Sequence, residues 1–133
     1  MLPSIATAAA VAAVCAGSSE ASAPVPVLGD AFVGSLGYGH AHPVQLSSGG
    51  NAVTFMVRGL HWKHWEAKQA IGMGTGSWLP PGKPLSAVQP ATAEVVAFNL
   101  GICKGKRAYL KMKWFFPGHG GSLSTSHANR ICV

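Results

Sequence analysis

Residues 107–116 alternate without a break. Ala108, Leu110, Met112, Trp114 and Phe116 fall on one side, and Arg107, Tyr109, Lys111, Lys113 and Phe115 on the other. Side chains along a strand point to opposite faces in turn, whereas a helix repeats its apolar face every three or four residues. Ten alternating residues therefore predict a half-buried antiparallel strand. Just upstream, in 94–102, Val96, Phe98, Leu100 and Ile102 alternate as well, and Lys104-Gly105-Lys106 lies between the two runs as a hairpin connection would. The expected unit is a hairpin that buries Val96, Phe98, Leu100, Leu110, Met112 and Trp114. Composition agrees with a β chain. Only 11% of residues are charged, against roughly 25% in an average soluble protein. With 17 Gly and 9 Pro in 133 residues, the chain suits neither a coiled coil nor a helical bundle. The length fits one domain. The expected fold is all-β, a small antiparallel sandwich or barrel preceded by a cleavable signal segment.

Other strands follow the same logic. Val53, Phe55 and Val57 alternate with polar neighbours and Met56. In 68–78, Ala70, Gly72, Gly74 and Gly76 share one face, and Ile71, Met73 and Thr75 the other. A glycine row of period two marks a strand approached closely by a large ring or another backbone, and it lacks the ending of a phosphate loop. Pro80, Pro81 and Pro84 make 79–84 a loop. Residues 60–70 contain helix formers but no N-cap and two tryptophans, so they read as strand, turn, strand. Residues 24–52 read as a Gly/Pro/Ser-rich arm, loose at its start. Short strands are expected there at 31–33 and 44–46, and a turn at Ser47-Ser48-Gly49-Gly50-Asn51. Residues 53–133 form the β domain, with 122–133 extended and tied at Cys132.

The N-terminus points to export. Residues 5–16 (IATAAAVAAVCA) are uncharged and too short for a bilayer span, which takes about 20 residues. They fit the apolar region of a secretory signal over 1–23, although no Lys or Arg precedes them. Ala21-Ser22-Ala23 has the form of a cleavage site; Pro24 follows it, so Ala16, Gly17 and Ala21 offer other cut points. Val14 and Ala12 ahead of Cys15 do not match a lipid-attachment motif. Cleavage removes Glu20 and no basic residue, leaving Asp30, Glu66 and Glu94 against all ten Lys and Arg. It leaves two cysteines, Cys103 and Cys132, and an even count in an exported chain predicts a disulfide between them. The expected location is extracellular or cell-wall associated.

The run Leu60-His61-Trp62-x-x-Trp65, then Ala70-x-Gly72-x-Gly74-Thr75, then a loop, an alternating strand and Cys103-x-Gly105-x-x-x-Tyr109, resembles a group of small exported actinobacterial proteins of unknown function. The similarity covers roughly residues 53–117. A Gly-Gly turn commonly follows the second tryptophan in that group, where Glu66-Ala67 stand here, and its middle loop often holds two cysteines, where 79–86 holds none. The resemblance implies export and a small β fold, and it brings no catalytic residues.

The most prominent surface feature is basic: Lys104, Lys106, Arg107, Lys111 and Lys113, with Tyr109 and Phe115 interleaved. Such a pattern can hold an anion. For an exported chain the expected partner is an anionic wall polymer, a lipid surface or a partner protein rather than nucleic acid. The competing explanation is a solvated strand whose lysines discourage edge pairing. His40-x-His42 and the pair His61 and His64 lack the further ligands a metal site needs, so no metal and no cofactor is expected. Three carboxylates in separate segments supply no acid–base pair. Three functions remain: a secreted non-enzymatic β domain that contacts an anionic surface or a protein, a small-ligand carrier with an aromatic-lined pocket, and a secreted hydrolase.

Overall fold

A computed structural model describes residues 23–48 and 56–133. The export-signal segment up to residue 22, the Gly49-Gly50-Asn51 part of the expected turn and the beginning of the 53–57 alternation lie outside the described residues.

The predicted hairpin forms. Strands β5 (Gln89–Cys103) and β6 (Lys106–Phe115) pair antiparallel from Glu94 opposite Phe115 to Cys103 opposite Lys106. Lys104 and Gly105 make the two-residue turn, with φ of 50° and 83°. Two positive φ values in sequence are the hairpin geometry that matches the twist of the strands. Strand β4 (Gln69–Trp78) pairs with β5 along its whole length. Beyond it come β3 (Met56–Lys63) and β2 (Gln45–Ser47), also antiparallel. Residues 64–67 turn between β3 and β4, as the strand–turn–strand reading expects. On the far edge of β6, β1 (Val27–Leu28) runs parallel beside Ala108 and Tyr109, and β7 (Asn129–Arg130) runs antiparallel beside Lys111 and Met112. The order β1-β6-β5-β4-β3-β2, with β7 beside β6, makes one curled sheet, an open half-barrel. The all-β expectation holds, and the strands make a single curled sheet.

The two apolar rows of the hairpin do not share a face. Directly paired residues lie on the same side of a sheet. The register sets Val95 opposite Trp114 and Ala97 opposite Met112, but Val96 opposite Lys113 and Phe98 opposite Lys111. The inner face therefore takes Ala93, Val95, Ala97 and Met112, with Trp114 and Phe116 packed against them. Val96 and Phe98 belong to the outer face, where Val96 is nonetheless buried, and Ile102 is exposed. Leu100, Leu110 and Trp114 are only half-buried. Alternation shows that a strand has two faces; which rows meet depends on a register that one residue's shift reverses.

Further along, the strands exchange faces. Leu100 and Tyr109 join the same core as Ala97 and Met112, a step of three instead of two, and Asn99 sits at the changeover with φ 63°. In β3, Val57 and Leu60 are both buried, Gly59 between them has φ 65°, and the register slips between Arg58 and His61. The extra residue in β3 bends that strand and increases its twist, which adds to the curl of the sheet.

The arm is not loose where it begins. Pro26 and Leu28 are fully buried, and the strand is at Val27–Leu28 instead of 31–33, where Val33 is fully exposed. The Leu28 N–H donates to the His40 carbonyl and the Gly39 N–H to that of Leu28, while Leu36 and Ser47 exchange both backbone bonds. The arm thus runs from the β6 edge of the sheet to the β2 edge. At the C-terminal end, Cys103 and Cys132 form the expected disulfide, with Cα atoms 5.7 Å apart.

Candidate functional site

The five basic residues singled out by the sequence are not one free surface. The Lys104 ammonium lies 2.7 Å from the Asp30 carboxylate, which also accepts the Val133 N–H at 2.8 Å. These two partners hold the Asp30 carboxyl below its ordinary range, the Lys104 contact foremost. Arg107 donates to the Pro24 carbonyl at 3.0 Å and stands 3.8 Å from Glu66. Lys113 donates to the Leu123 carbonyl at 3.0 Å. Lys106 is exposed at the hairpin end, and Lys111 lies beside Arg130. The expected aromatic interleaving fails for Tyr109, which is fully buried on the inner face, and Phe115 is 8% exposed. The step of three at Asn99 separates Tyr109 from Lys111 and Lys113.

The patterned residues of the middle segment meet around Tyr109. Its hydroxyl donates to the Ala67 carbonyl at 2.6 Å and accepts the Glu66 N–H at 2.9 Å, closing the β3–β4 turn over the core. Trp65 packs edge-on against Tyr109 and Trp62, and its indole N–H donates to Pro26. Trp62 donates to Pro43 and lies over Gly72, where an added Cβ would come within 3.0 Å of the ring. The glycine at 72 makes room for a ring, as its period suggests. His42 rests on Trp65 as part of this packing. Asp30, Cys103 and Cys132 are the one group of three potential metal ligands among the described residues, and both sulfurs are taken by the disulfide.

A broad concave feature lies at the other end of the strands. A cavity of about 480 Å³ is lined by Trp78, Trp114, Phe116, His119, Thr125 and Asn129, among others. A second, of about 200 Å³, adjoins it and shares Trp78, Trp114 and Phe116. Trp78 ends β4, and Trp114 and Phe116 come from the end of β6. His119 belongs to the short 3-10 turn Pro117–His119 and stacks on Trp78, with ring centres 3.6 Å apart and planes 11° apart. Trp114 and Phe116 meet edge to face at 5.6 Å. Gly76 lies under Phe116, whose ring would be 3.0 Å from an added Cβ. The polar rim comes from the loop that follows, fixed by bonds from Thr125 to Ser122 and from Ser126 to Leu123. No Asp, Glu, Lys or Arg lines either cavity. In a chain with net charge +6 this is an amphipathic cleft without lysine, arginine or carboxylate.

The sequence allows for an aromatic-lined pocket but does not locate this cleft. It assigns Trp114 to the buried hairpin and gives no reason to join Trp78 to His119, which become neighbours only because β4 and β6 flank β5. Among the described residues, no helix is long and apolar enough to cross a membrane. No family model, no curated protein and no solved structure matches the chain.

Proposed function

We propose that the protein is a secreted, non-catalytic β domain that binds an uncharged ligand with one flat apolar side and a hydroxylated edge, a saccharide ring, in the Trp78–Trp114–Phe116 cleft. The observation that carries this reading is the composition of the cleft: three aromatic rings with a rim of Thr125, Ser126, His127 and Asn129, and no lysine, arginine or carboxylate. Pockets that recognise small molecules combine apolar walls with a few placed polar groups. The C–H face of a sugar packs against an indole, and its hydroxyls exchange hydrogen bonds with the rim. Export rests on the N-terminal signal pattern, on the resemblance to small exported proteins, and on the disulfide, which suits an oxidising compartment. A hydrolytic role has less support, since Asp30, Glu66 and Glu94 all lie outside the cleft.

Calorimetric titration with a panel of neutral oligosaccharides tests the proposal. At least one should bind with an affinity that changes little between low and high salt, because no ion pair is involved. Trp78→Ala should weaken it about tenfold or more, the equivalent of about 1.4 kcal/mol. His127→Ala, at an exposed position on the rim, should weaken binding without lowering the melting temperature. A panel that fails to bind, or binding indifferent to both substitutions, removes the reading.

A further inference from the structure

Register assembles on the outer face a set of cations that the sequence keeps apart. Lys63, Ile71, Val96 and Lys113 lie side by side across β3, β4, β5 and β6. In a neighbouring row, Gln69, Phe98, Lys111 and Arg130 lie across β4, β5, β6 and β7. Cross-strand partners share a face, so Lys63, Lys111, Lys113 and Arg130 all project from the outer side. Two of them, Lys63 and Arg130, are exposed, and Lys111 and Lys113 are half-exposed. Lys113 spends one N–H on the Leu123 carbonyl; an ammonium has three. The ion pairs among the described residues, Lys104–Asp30 and Arg107–Glu66, involve none of the four. Glu94, in the row with Met73 and Phe115, is the one carboxylate that register places on this face among the described residues.

One juxtaposition gives this arrangement direction. Lys111 stands directly opposite Arg130, and like charges in that position destabilise a sheet. An anion seated between the two side chains would turn the repulsion into two charge-assisted hydrogen bonds. Lys113, two residues along the same strand, places a further positive charge about 7 Å away. The spacing suits a chain of anions better than a single one.

We propose that the outer face of β3–β7 binds a linear phosphate polymer through Lys111 and Arg130, with Lys113 and Lys63 extending the track. A tetrahedral phosphate offers oxygens to both strands at once and fits the planar fork of an arginine. A lipid surface fits less well, because the apolar residues between the cations, Ile71, Val96 and Phe98, are buried or half-buried and cannot insert. This site is separate from the aromatic cleft and stands or falls independently of it.

The probe is long-chain inorganic polyphosphate, titrated into the intact protein at 50 and 200 mM salt. Four phosphate contacts should lower affinity roughly 50-fold over that range, by counterion release. Lys111→Gln with Arg130→Gln should reduce binding at least tenfold while leaving the melting temperature unchanged or higher, since the pair repels itself in the free protein. Lys104→Gln with Lys106→Gln should change binding less than threefold. Salt-insensitive binding, a larger loss from the Lys104/Lys106 pair, or tighter association with anionic vesicles or a carboxylate polysaccharide than with polyphosphate would each overturn the proposal.

Discussion

Tyr109 shows how much one side chain can organise. It is fully buried, and its hydroxyl serves both the Glu66 N–H and the Ala67 carbonyl. Tyr109→Phe removes two hydrogen bonds at the turn and should cost about 1–3 kcal/mol in chemical denaturation, at the usual net worth of about 0.5–1.5 kcal/mol for each. Burial also raises the Tyr109 phenol above its ordinary pKa, and it pushes Tyr38 up to about 12 from 10.0. A raised pKa means that the unfolded chain gives up the proton first. Stability is therefore full below pH 10 and falls as pH rises toward 12. Asp30 acts at the opposite end. Its carboxyl is lowered from 3.8 by Lys104 and the Val133 N–H, so its contribution is full above that value and is lost as pH falls through the lowered one. Melting temperatures measured across the pH range should decline at both ends, and a profile flat from pH 9 to 12 would contradict the alkaline half. Some of these roles were legible beforehand. The period of Gly72 announced a nearby ring, and Trp62 is that ring. The partners of the tryptophan N–H groups were not, because Pro26 and Pro43 offer backbone carbonyls that no side-chain pattern marks.

At the scale of elements, the strands from 69 onward could be read from alternation and turn residues, and the Lys104-Gly105 turn lies where expected. The relative facing of β5 and β6 could not, because the turn takes only Lys104 and Gly105 and pairs Cys103 with Lys106, which sets Val96 opposite Lys113; a three-residue Lys104-Gly105-Lys106 connection would have set it opposite Trp114. The arm was harder still. Its strand is two residues long and takes its order from Ala108 and Tyr109, far along the chain. The disulfide was accessible by counting cysteines, and its energetic weight follows from the 29 residues it spans. Replacing Cys103 and Cys132 with Ser should cost roughly 3–4 kcal/mol on the loop-entropy account. The damage should be local at first, since β7 is a two-residue strand held against β6 and Val133 binds Asp30. Limited proteolysis of the serine variant should cut after residue 120 before it touches β4 or β5. Gly72→Ala is a second test at this level: a Cβ pressed on Trp62 should destabilise by about 1–3 kcal/mol, as overpacking does.

Across the whole molecule, the curled sheet separates three tasks. Its inner face holds the core, the end of β4 and β6 opens into the aromatic cleft, and its outer face gathers lysines and an arginine from three strands. The single alternating strand β6 contributes to all three, with Met112 inward, Trp114 at the cleft and Lys111 outward. The arm between Leu28 and Ser47, which links the two edges of the sheet, also orders events in time. Val27 and Leu28 leave the ribosome early, yet their partners in β6, Ala108 and Tyr109, come about 80 positions later. Until Tyr109 has been synthesised, Leu28 has no edge to join, and the Trp65–Pro26 bond has no fixed arm to complete it. Closure is therefore an event of the finished chain. Refolding should run at the millisecond-to-second pace of proteins dominated by distant pairings, and substitutions at Leu28 should speed unfolding far more than they slow folding.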